Sequence, residues 1–379
     1  MLNSYRIYSG YAQGASHIAK DMPCEDFAAS YEGQNIAIVV ISDGHGDKNC
    51  FRSAKGASIA CNSAIEKTRD VFEHDDEAVS ALVNSPKRVI TELEKSIIWL
   101  WNKKVQEDLS EFPITEEELK ELDVRIADTL RSGNKLNKVY GCTLIMAVLL
   151  EECWFAIQIG DGSCVSIHEN GIYSRKIPAD SEGCVGNRST SICGSEAFEN
   201  FRYYYGTNLP DAVFVASDGV EESFDENGLN KCYYSIASII KSNDHQISDQ
   251  KMREILNKIS NGGSGDDVSI ACIINNNREI RKPLATSKQI AEKMNQLYST
   301  LRDVEERYTE LQNKKKELEA IVRNLDTVTE QLTELSNQFV SAKTIKKNVD
   351  QYWKNVGAEV EDLPEIMEYE PIIKRKIEK

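Results

Sequence analysis

The chain has 379 residues, with 45 Lys and Arg against 61 Asp and Glu, a formal net charge of −16 and 10 cysteines. At roughly 150 residues per domain, this length predicts two or three structural units. The acidic balance argues against nucleic acid as a partner, because nucleic-acid-binding proteins carry basic surfaces, and against electrostatic docking on anionic membranes.

The sequence contains no predicted membrane segment and no predicted secretory signal. The longest apolar run, Leu144 to Leu150, has the length of a strand and falls far short of a membrane span. Met1 to Gly10 lacks the basic and apolar regions of a signal peptide. The cysteines form no C-x-x-C pair and fit neither a zinc site nor a small disulfide framework. We therefore expect reduced, mostly buried thiols in a cytoplasmic protein with no membrane insertion.

Five short apolar runs within residues 1–278 predict buried strands. Most are rich in β-branched residues and lie next to a glycine-containing turn. Because the runs are continuous rather than alternating, we expect both faces of each strand to be covered. Residues 179–208, rich in Gly, Ser, Asn and Tyr, predict instead an irregular surface segment. The runs are 36–41, 143–150, 154–159, 212–216 and 268–274.

Helical patterns lie between these runs. Apolar residues recur at helical spacing in 52–72 and 86–109. Further patterns cover 231–242 and 248–259, the last with Ser248 as its predicted N-cap. Buried strands flanked by helices predict a layered α/β arrangement with the sheets inside.

From residue 290 the sequence follows a heptad pattern. Two apolar-rich series interleave at four-then-three spacing without Gly or Pro, which predicts a coiled-coil helix over 290–345 after a linker over 279–289. At 1.5 Å per residue, 290–339 would span ~75 Å. The series are Ile290, Leu297, Val304, Leu311, Leu318, Leu325, Leu332 and Phe339, and Met294, Leu301, Tyr308, Lys315, Val322, Thr329 and Ser336.

An exposed seam of leucines is unfavourable, so this helix predicts a homo-oligomer or a partner protein. The alternative is a long amphipathic helix that folds back on residues 1–278. Residues 346–379 combine mixed charges with Pro364 and Pro371 and are predicted to form a loosely ordered tail.

Acidic residues recur where the predicted strands begin or end. For any single Asp-Gly pair the simplest explanation is a turn, because both residues favour turns. Five such sites predict carboxylates gathered at a common edge, and oxygen ligands without Cys or His suit Mg²⁺ or Mn²⁺. Two metals bridged by one carboxylate would activate a water for attack on phosphorus. The sites are Glu25-Asp26, Asp43, Asp161, Asp218 and Asp266-Asp267.

Six motifs in order resemble those of the protein phosphatase 2C family, the metal-dependent serine/threonine phosphatases. The resemblance covers about residues 5–275, and the opening Gly14-Ala15-Ser16-His17 with Pro23-Cys24 is similar to a bacterial-type branch. The motifs are Glu25-Asp26, Asp43-Gly44-His45-Gly46, Gly141-Cys142-Thr143, Gly160-Asp161-Gly162, Ser217-Asp218-Gly219 and Gly265-Asp266-Asp267-Val268-Ser269.

The resemblance implies an α+β fold for residues 1–278: a four-layer αββα sandwich of two antiparallel sheets flanked by helices, followed here by the C-terminal coiled coil. It also implies a binuclear Mn²⁺ or Mg²⁺ site. Asp43 would bridge the two metals and Gly44 would offer its carbonyl. Glu25 would serve one metal, and Asp218 and Asp266 the other.

Three further roles follow from the same resemblance. Asp161 would hold a third, weaker metal together with Asp218, and Asp26 would hydrogen-bond the attacking water. His45 would be the general acid that protonates the departing serine or threonine oxygen. The alternative for His45 is a residue that merely tolerates an unusual turn conformation between two glycines.

The sequence also departs from the family pattern. Asp21 stands where eukaryotic members typically carry a phosphate-binding Arg. The adjacent Lys20 is the candidate replacement, as a point charge rather than a bidentate fork, and a solvated surface lysine is the alternative. Glu221-Glu222, Asp267 and Gly162-Ser163 replace other usual residues. These departures affect substrate affinity more than the metal ligands.

The leading hypothesis is therefore metal-dependent hydrolysis of phosphoserine and phosphothreonine on phosphoprotein substrates, with the coiled coil for dimerisation or targeting. The alternative is a weak or silent pseudo-phosphatase that binds phosphoproteins or acts as a scaffold. A third possibility makes the coiled coil the main function, with the enzyme acting on the assembly that it organises.

Overall fold

The structure, a computed structural model, describes residues 4–168, 171, 173–178, 180, 190–283, 299–312, 314 and 325–355. The chain divides into two compact units, Met1–Pro283 and Leu284–Lys379. The division falls inside the linker predicted over 279–289.

The first unit contains two five-stranded sheets in which every neighbouring pair is antiparallel. One sheet has the order β1-β10-β9-β6-β7, formed by Tyr5–Ala12 (β1), Val268–Asn275 (β10), Ala212–Ala216 (β9), Ser163–Ile167 (β6) and Tyr173–Arg175 (β7). The other has the order β2-β3-β4-β5-β8, formed by Phe27–Glu32 (β2), Ile36–Ser42 (β3), Leu144–Leu150 (β4), Trp154–Ile159 (β5) and Arg202–Gly206 (β8).

The helices follow the predicted patterns with small changes at their ends. The predicted segments 52–72, 86–109, 231–242 and 248–259 correspond to the helices Ser53–Phe72 (α2), Pro86–Glu111 (α4), Glu226–Ser242 (α9) and His245–Gly262 (α10). The helices of this unit are Ala15–Ala19 (α1), Ser53–Phe72 (α2), Asp76–Asn84 (α3), Pro86–Glu111 (α4), Glu116–Leu119 (α5), Val124–Arg131 (α6), Ala197–Asn200 (α7), Asp218–Glu221 (α8), Glu226–Ser242 (α9) and His245–Gly262 (α10).

Two local predictions are wrong. The N-cap of α10 is Asp244, whose carboxylate accepts a hydrogen bond from the Ile247 amide at 2.9 Å, and Ser248 lies buried within the first turn. The segment 179–208 is not irregular throughout, because β8 pairs with β5 at the edge of its sheet. Residues 179 and 181–189 lie outside the described residues.

Alternation along each strand places the two sheets face to face. On β3, Ile36, Ile38 and Val40 pack in a cluster with α2 and α4, whereas Val39 and Ile41 join a cluster that contains residues of both sheets. The outer face of the other sheet packs on α9 and α10. The layers therefore follow the αββα order, and the continuous apolar runs reflect strands covered on both faces of antiparallel sheets.

The described residues of the second unit form two helices, α11 over residues 299–312 and Leu325–Asn355 (α12). The rings of Tyr308 and Phe339 stack with centroids 5.7 Å apart. In one uninterrupted helix these residues would be about 46 Å apart, so the stacked rings do not fit one continuous helix. The predicted coiled coil over 290–345 is not confirmed, and its residues 290–298, 313 and 315–324 lie outside the described residues.

The seam of α12 also differs from the predicted one. Leu335 is 5% exposed and Ala342 is 8% exposed, although neither belongs to the two predicted series, and Ser336 is exposed. The helix continues to Asn355, so residues 346–355 of the predicted loose tail are helical. Residues 356–379 lie outside the described residues. Because α11 and α12 cover apolar residues within one chain, nothing in the described residues requires a second copy.

No helix in the described parts of the chain has an apolar stretch long enough to cross a membrane.

The buried Glu94 of α4 gives a testable prediction about stability. Burial raises the pKa of this carboxyl to about 7, and its Oε1 has no hydrogen-bond partner. A folded-state pKa raised above the unfolded value means that the protonated form stabilises the protein below about pH 4.5, and that this contribution is lost as the pH rises through about 7. We expect Glu94→Gln to remove a stability loss on the order of 2–3 kcal/mol between pH 5 and pH 8.5.

Chemical denaturation at both pH values, with EDTA present, measures this difference. Glu92→Gln is the matched control because Glu92 lies on the same helix with its side chain 65% exposed, in an ion pair with Lys95. Parallel pH profiles for the wild type and Glu94→Gln would contradict the prediction.

Candidate metal centre

Three aspartates from the ends of three strands meet at one point. Asp43 follows β3, Asp161 follows β5 and Asp218 follows β9 by two residues. Each contributes a carboxylate oxygen to a group whose members all lie within 4.8 Å of one another. β9 belongs to one sheet and β3 and β5 to the other, so the site exists only where the two sheets face each other.

Hydrogen bonds to β4 fix the end of β3 that carries Asp43. The Asp43 amide donates to Thr143 Oγ1 at 3.0 Å, and the Thr143 amide donates to the Asp43 carbonyl at 2.8 Å. Gly44 is buried next to them, and a Cβ there would lie 2.8 Å from the Glu25 carbonyl oxygen and 2.9 Å from Ser53 Cβ. Glycine at 44 is therefore a packing requirement of this loop.

The turn that carries Asp161 is held by three side chains that the sequence analysis did not identify. Gly160 and Gly162 have φ values of 91° and 83°, which favour glycine. Gln158 Nε2 lies within 3.3 Å of the carbonyl oxygens of all three turn residues. Arg175 donates to the Gly162 carbonyl and Arg202 donates to the Gly160 carbonyl. Gln158 is local to the turn, whereas Arg175 and Arg202 reach it only through the sheets, so no local sequence pattern identifies the two arginines.

Glu25 and Asp26 place further buried carboxylates beside this group. Ser53 donates a hydrogen bond to Glu25 Oε1, whereas Glu25 Oε2 is buried without a partner, and burial raises the pKa of Glu25. Asp26 is 3% exposed, and neither of its carboxylate oxygens has a donor at normal hydrogen-bond geometry. The hydroxyls of Ser217 and Ser269 nevertheless lie close enough to stabilise its charge.

The electrostatics of the cluster oppose full ionisation. Burial, together with the charge of Asp267, raises the pKa of Asp26 to about 7. Burial and the charges of Asp26 and Asp218 raise the pKa of Asp43 well above its usual range. Burial raises the pKa of Asp218 to about 6, with the charges of Asp161 and Asp266 acting in the same direction. Crowded carboxylates with unpartnered buried oxygens fit a hard divalent cation, which would neutralise their repulsion.

Asp266 lies at the exposed border of the cluster. Its side chain is 53% exposed, and its Oδ1 is 3.4 Å from His17 Nε2. It is not part of the three-aspartate group. Its charge nevertheless raises the pKa values of Glu25 and Asp218. Asp266 therefore lies near a predicted ligand of each of the two metals.

His45 lies beside the cluster on the loop that follows Asp43. Its amide donates to the Gly141 carbonyl at 3.1 Å. Burial lowers the pKa of the imidazole, and the charges of Asp161 and Asp47 oppose this effect. Among the described residues, only Asp21 and Lys135 are non-glycine residues with positive φ. An unusual backbone conformation therefore does not explain the histidine at 45.

Lys20, the predicted phosphate-binding residue, is exposed in the turn after α1, and the neighbouring Asp21 adopts a left-handed φ of 57°. Within the described residues, no hydrogen bond or ion pair joins the Lys20 ammonium to the acidic cluster.

Asp267 has a structural role that the sequence analysis did not identify. Its Oδ1 accepts a hydrogen bond from the Gly14 amide at 2.5 Å, and its Oδ2 accepts one from the Glu25 amide at 2.6 Å. His17 Nδ1 lies 3.0 Å from Oδ2. The carboxylate thus joins the N-terminal segment and the Glu25 loop to the start of β10. The only sign of this role in the sequence was that residue 267 is Asp, where the family usually has Asn.

We expect Asp267→Asn to destabilise the protein by about 1–3 kcal/mol, because an amide offers one acceptor oxygen where two backbone N–H groups need acceptors. Denaturant unfolding in EDTA measures the change. Asp70→Asn is the control, because Asp70 pairs with Lys67 on the surface and is 56% exposed. Equal stabilities for the two variants would show that the buried amides find other acceptors.

Comparison with known proteins adds the family to this geometry. The family model described as protein phosphatase 2C matches residues 13–257. Comparison with curated proteins finds no matching sequence.

Several solved structures are similar at low identity. Serine/threonine phosphatase Stp1 from Staphylococcus aureus is 15% identical with a TM-score of 0.43, covering 72% of this chain and 95% of its own. The S. agalactiae serine/threonine phosphatase is also 15% identical, with a TM-score of 0.44 and coverage of 71% and 99%. The catalytic domain of PstP, solved with two manganese ions, is 13% identical, with a TM-score of 0.43 and coverage of 71% and 97%.

Family membership rests on the sequence match and not on these structural similarities. The match spans well over half of the chain and contains Asp43, Asp161 and Asp218, whose carboxylate oxygens lie within 4.8 Å of one another. The chain belongs to the protein phosphatase 2C family.

Proposed function

We propose that this protein is a metal-dependent serine/threonine phosphatase that hydrolyses phosphoserine and phosphothreonine on proteins. The observation that carries the proposal is the group of Asp43, Asp161 and Asp218 oxygens within 4.8 Å of one another, next to buried, unpartnered oxygens of Glu25 and Asp26. Such a set is unfavourable without a cation. With divalent cations it becomes suited to phosphoryl transfer to water.

Asp43, Glu25, Asp218 and Asp266, together with the carbonyl of Gly44, would hold two Mn²⁺ or Mg²⁺ ions, with Asp43 between them. Asp161 and Asp218 would hold a third, weaker ion. When bound, the ions supply positive charge at the phosphate and lower the pKa of the attacking water. The protein would keep these carboxylates in place through the β4 contacts of Asp43 and the braced turn of Asp161.

Two side chains would handle protons. Asp26 is buried and its oxygens have no firm partner, so it can accept a hydrogen bond from the attacking water and orient it. His45 would donate its proton to the departing serine or threonine oxygen. Because burial lowers its pKa, the imidazolium is a stronger acid than an exposed histidine.

We also propose Lys20 as a contact for the substrate phosphate. It is exposed, and the helix that it follows carries His17, which lies 3.4 Å from Asp266. Its point charge in place of a bidentate Arg would give weaker phosphate binding. The role of Lys20 therefore concerns KM more than kcat.

The first test of the function is hydrolysis of p-nitrophenyl phosphate and of a phosphothreonine peptide with Mn²⁺, with Mg²⁺ and with EDTA. We expect turnover only with metal, and a fall of roughly 100-fold or more in kcat/KM for Asp43→Asn, because loss of a bridging carboxylate removes several kcal/mol of transition-state stabilisation. Glu222→Gln is the control, because Glu222 is an exposed carboxylate close to Asp218 in sequence.

Full activity in EDTA or in Asp43→Asn would refute the metal-dependent mechanism. Metal binding without turnover on any phosphoprotein would favour the pseudo-phosphatase alternative.

Metal binding has a readout that does not depend on turnover. We expect Mn²⁺ to raise the Tm more at pH 7.5 than at pH 5.5, because the raised pKa values of Asp26 and Asp218, about 7 and about 6, mean that protons compete with the cation at the lower pH. Differential scanning fluorimetry with and without Mn²⁺ measures the shift. The shift should vanish in Asp43→Asn and persist in Glu222→Gln; a shift that is equal at both pH values would be evidence against carboxylate ligands.

The role of His45 can be separated from metal binding by the choice of leaving group. We expect His45→Ala to lower kcat on the phosphothreonine peptide by about 10²–10⁴-fold, because an alkoxide needs a proton as it leaves. The effect on p-nitrophenyl phosphate should be much smaller, because p-nitrophenolate leaves without protonation. His74→Ala, an exposed histidine, is the control. Equal losses on the two substrates would exclude the general-acid role.

A further inference from the structure

Two cysteine sulfurs and the imidazole of His45 surround the space that a side chain at Gly141 would occupy. A Cβ on Gly141 would lie 2.9 Å from His45 Cδ2, 3.1 Å from Cys50 Sγ and 3.3 Å from Cys193 Sγ. Both sulfur atoms are thus close to the same point, which places them less than about 7 Å from each other. Both cysteines are only partly buried and neither is in a disulfide.

The two thiols belong to different parts of the site. Cys50 ends the 3₁₀ turn Lys48–Cys50, on the loop that carries His45. Cys193 lies next to Ser191, whose hydroxyl oxygen is 3.2 Å from Cys193 Sγ. One residue earlier, Thr190 Oγ1 accepts a hydrogen bond from the Gly160 amide at 2.9 Å. A bond between the two sulfurs would therefore join the His45 loop to the segment that contacts the Asp161 turn.

This arrangement does not serve as a metal site. In the parts of the chain that the structure describes, the acidic group of Asp43, Asp161 and Asp218 is the only set of three ligating side chains close enough to share an ion. The thiols have no role in the proposed hydrolysis either, because water and not cysteine is the nucleophile. Two accessible neighbouring thiols are suited instead to reversible oxidation.

We propose that Cys50 and Cys193 form a reversible disulfide on exposure to hydrogen peroxide, and that this bond switches off the phosphatase. One thiol is first oxidised to a sulfenic acid while the peroxide is reduced, which releases one water. The second thiol then attacks that sulfur, the S–S bond forms, and a second water leaves. Overall, two thiols and one H₂O₂ give one disulfide and two H₂O. The loss of activity rests on the proposed function, whereas the formation of the bond does not.

The environments of the two sulfurs suggest the order of the steps. Burial raises the pKa of Cys50 to about 12, with a contribution from the nearby Cys193. The Cys50 thiol is therefore protonated at neutral pH and reacts slowly with peroxide. Cys193 is then oxidised first, and Cys50 resolves the sulfenic acid.

The bond would disturb His45 directly. A disulfide requires the sulfurs to lie about 2.05 Å apart with Cβ atoms about 3.8 Å apart. The two side chains would have to move together within the space that the imidazole edge also occupies. Because a displacement of about 1 Å at a catalytic group can cost about 100-fold in rate, we expect oxidation to lower activity about 10- to 100-fold.

The full-length protein is treated with hydrogen peroxide in EDTA, the peroxide is removed with catalase, and fresh Mn²⁺ is added before the assay. Peptide mapping by mass spectrometry without reduction should find one peptide pair joined through Cys50 and Cys193. Activity on the phosphothreonine peptide, whose leaving group needs the proton of His45, should fall and return with dithiothreitol. The activity of Cys50→Ser should be the same before and after treatment with peroxide and with dithiothreitol. In this variant, dimedone should label the sulfenic acid formed on Cys193.

Cys193→Ser is the reciprocal variant, and Cys232→Ser is the matched control, because Cys232 is a half-buried cysteine on α9. Cys50→Ala replaces Cys50→Ser if the serine variant fails to fold. The proposal is overturned if the sulfurs are not joined, if Cys50→Ser is inactivated like the wild type, or if the joined protein keeps full activity. A protein that forms the bond but has no activity before oxidation would contradict the proposed function and not the disulfide.

Discussion

The main constraint on the first unit is that it holds several carboxylates close together at one end of two facing sheets. Asp26, Asp43 and Asp218 each have a raised pKa because burial and mutual repulsion oppose their charge. Such a cluster lowers the stability of a protein unless a cation neutralises it. The arrangement is therefore best explained by a function that needs it, and hydrolysis of phosphate esters at a divalent metal site is such a function.

The scaffold around the cluster consists mainly of side chains that form hydrogen bonds with backbone groups. Thr143 fixes the end of β3, Gln158 binds the carbonyls of the Asp161 turn, and Asp267 accepts the Glu25 amide. These residues hold the backbone near the proposed metal ligands and are not themselves proposed as ligands. Because the backbone is fixed by these hydrogen bonds, the carboxylates of the proposed ligands can keep their positions although some of their oxygens have no hydrogen-bond partner.

The same packing brings chemistry of a different kind to the site. The β-bridge between Gly44 and Cys142 places Gly141 against His45, and the absence of a side chain at Gly141 leaves room for Cys50 and Cys193. The proposed metal centre, built from carboxylate oxygens, thus has oxidisable thiols at its border. Oxidation there would act on His45 and on the Asp161 turn without changing a metal ligand.

The sequence by itself determined the strands with continuous apolar runs, the long helices and the positions of the acidic residues, because these depend on local periodicity and turn preferences. It did not identify β8, whose residues alternate weakly and gain their strand conformation from pairing with β5. It also could not show that the rings of Tyr308 and Phe339 stack on each other, because a heptad gives the spacing of a seam but not the identity of the helix that covers it. The tertiary structure alone decided which carboxylates share one site, which donors hold them and which thiols meet at His45. Several of those contacts join residues far apart in the chain, such as Glu25 and Asp267, which are 242 positions apart, and their distances depend on how the two sheets pack.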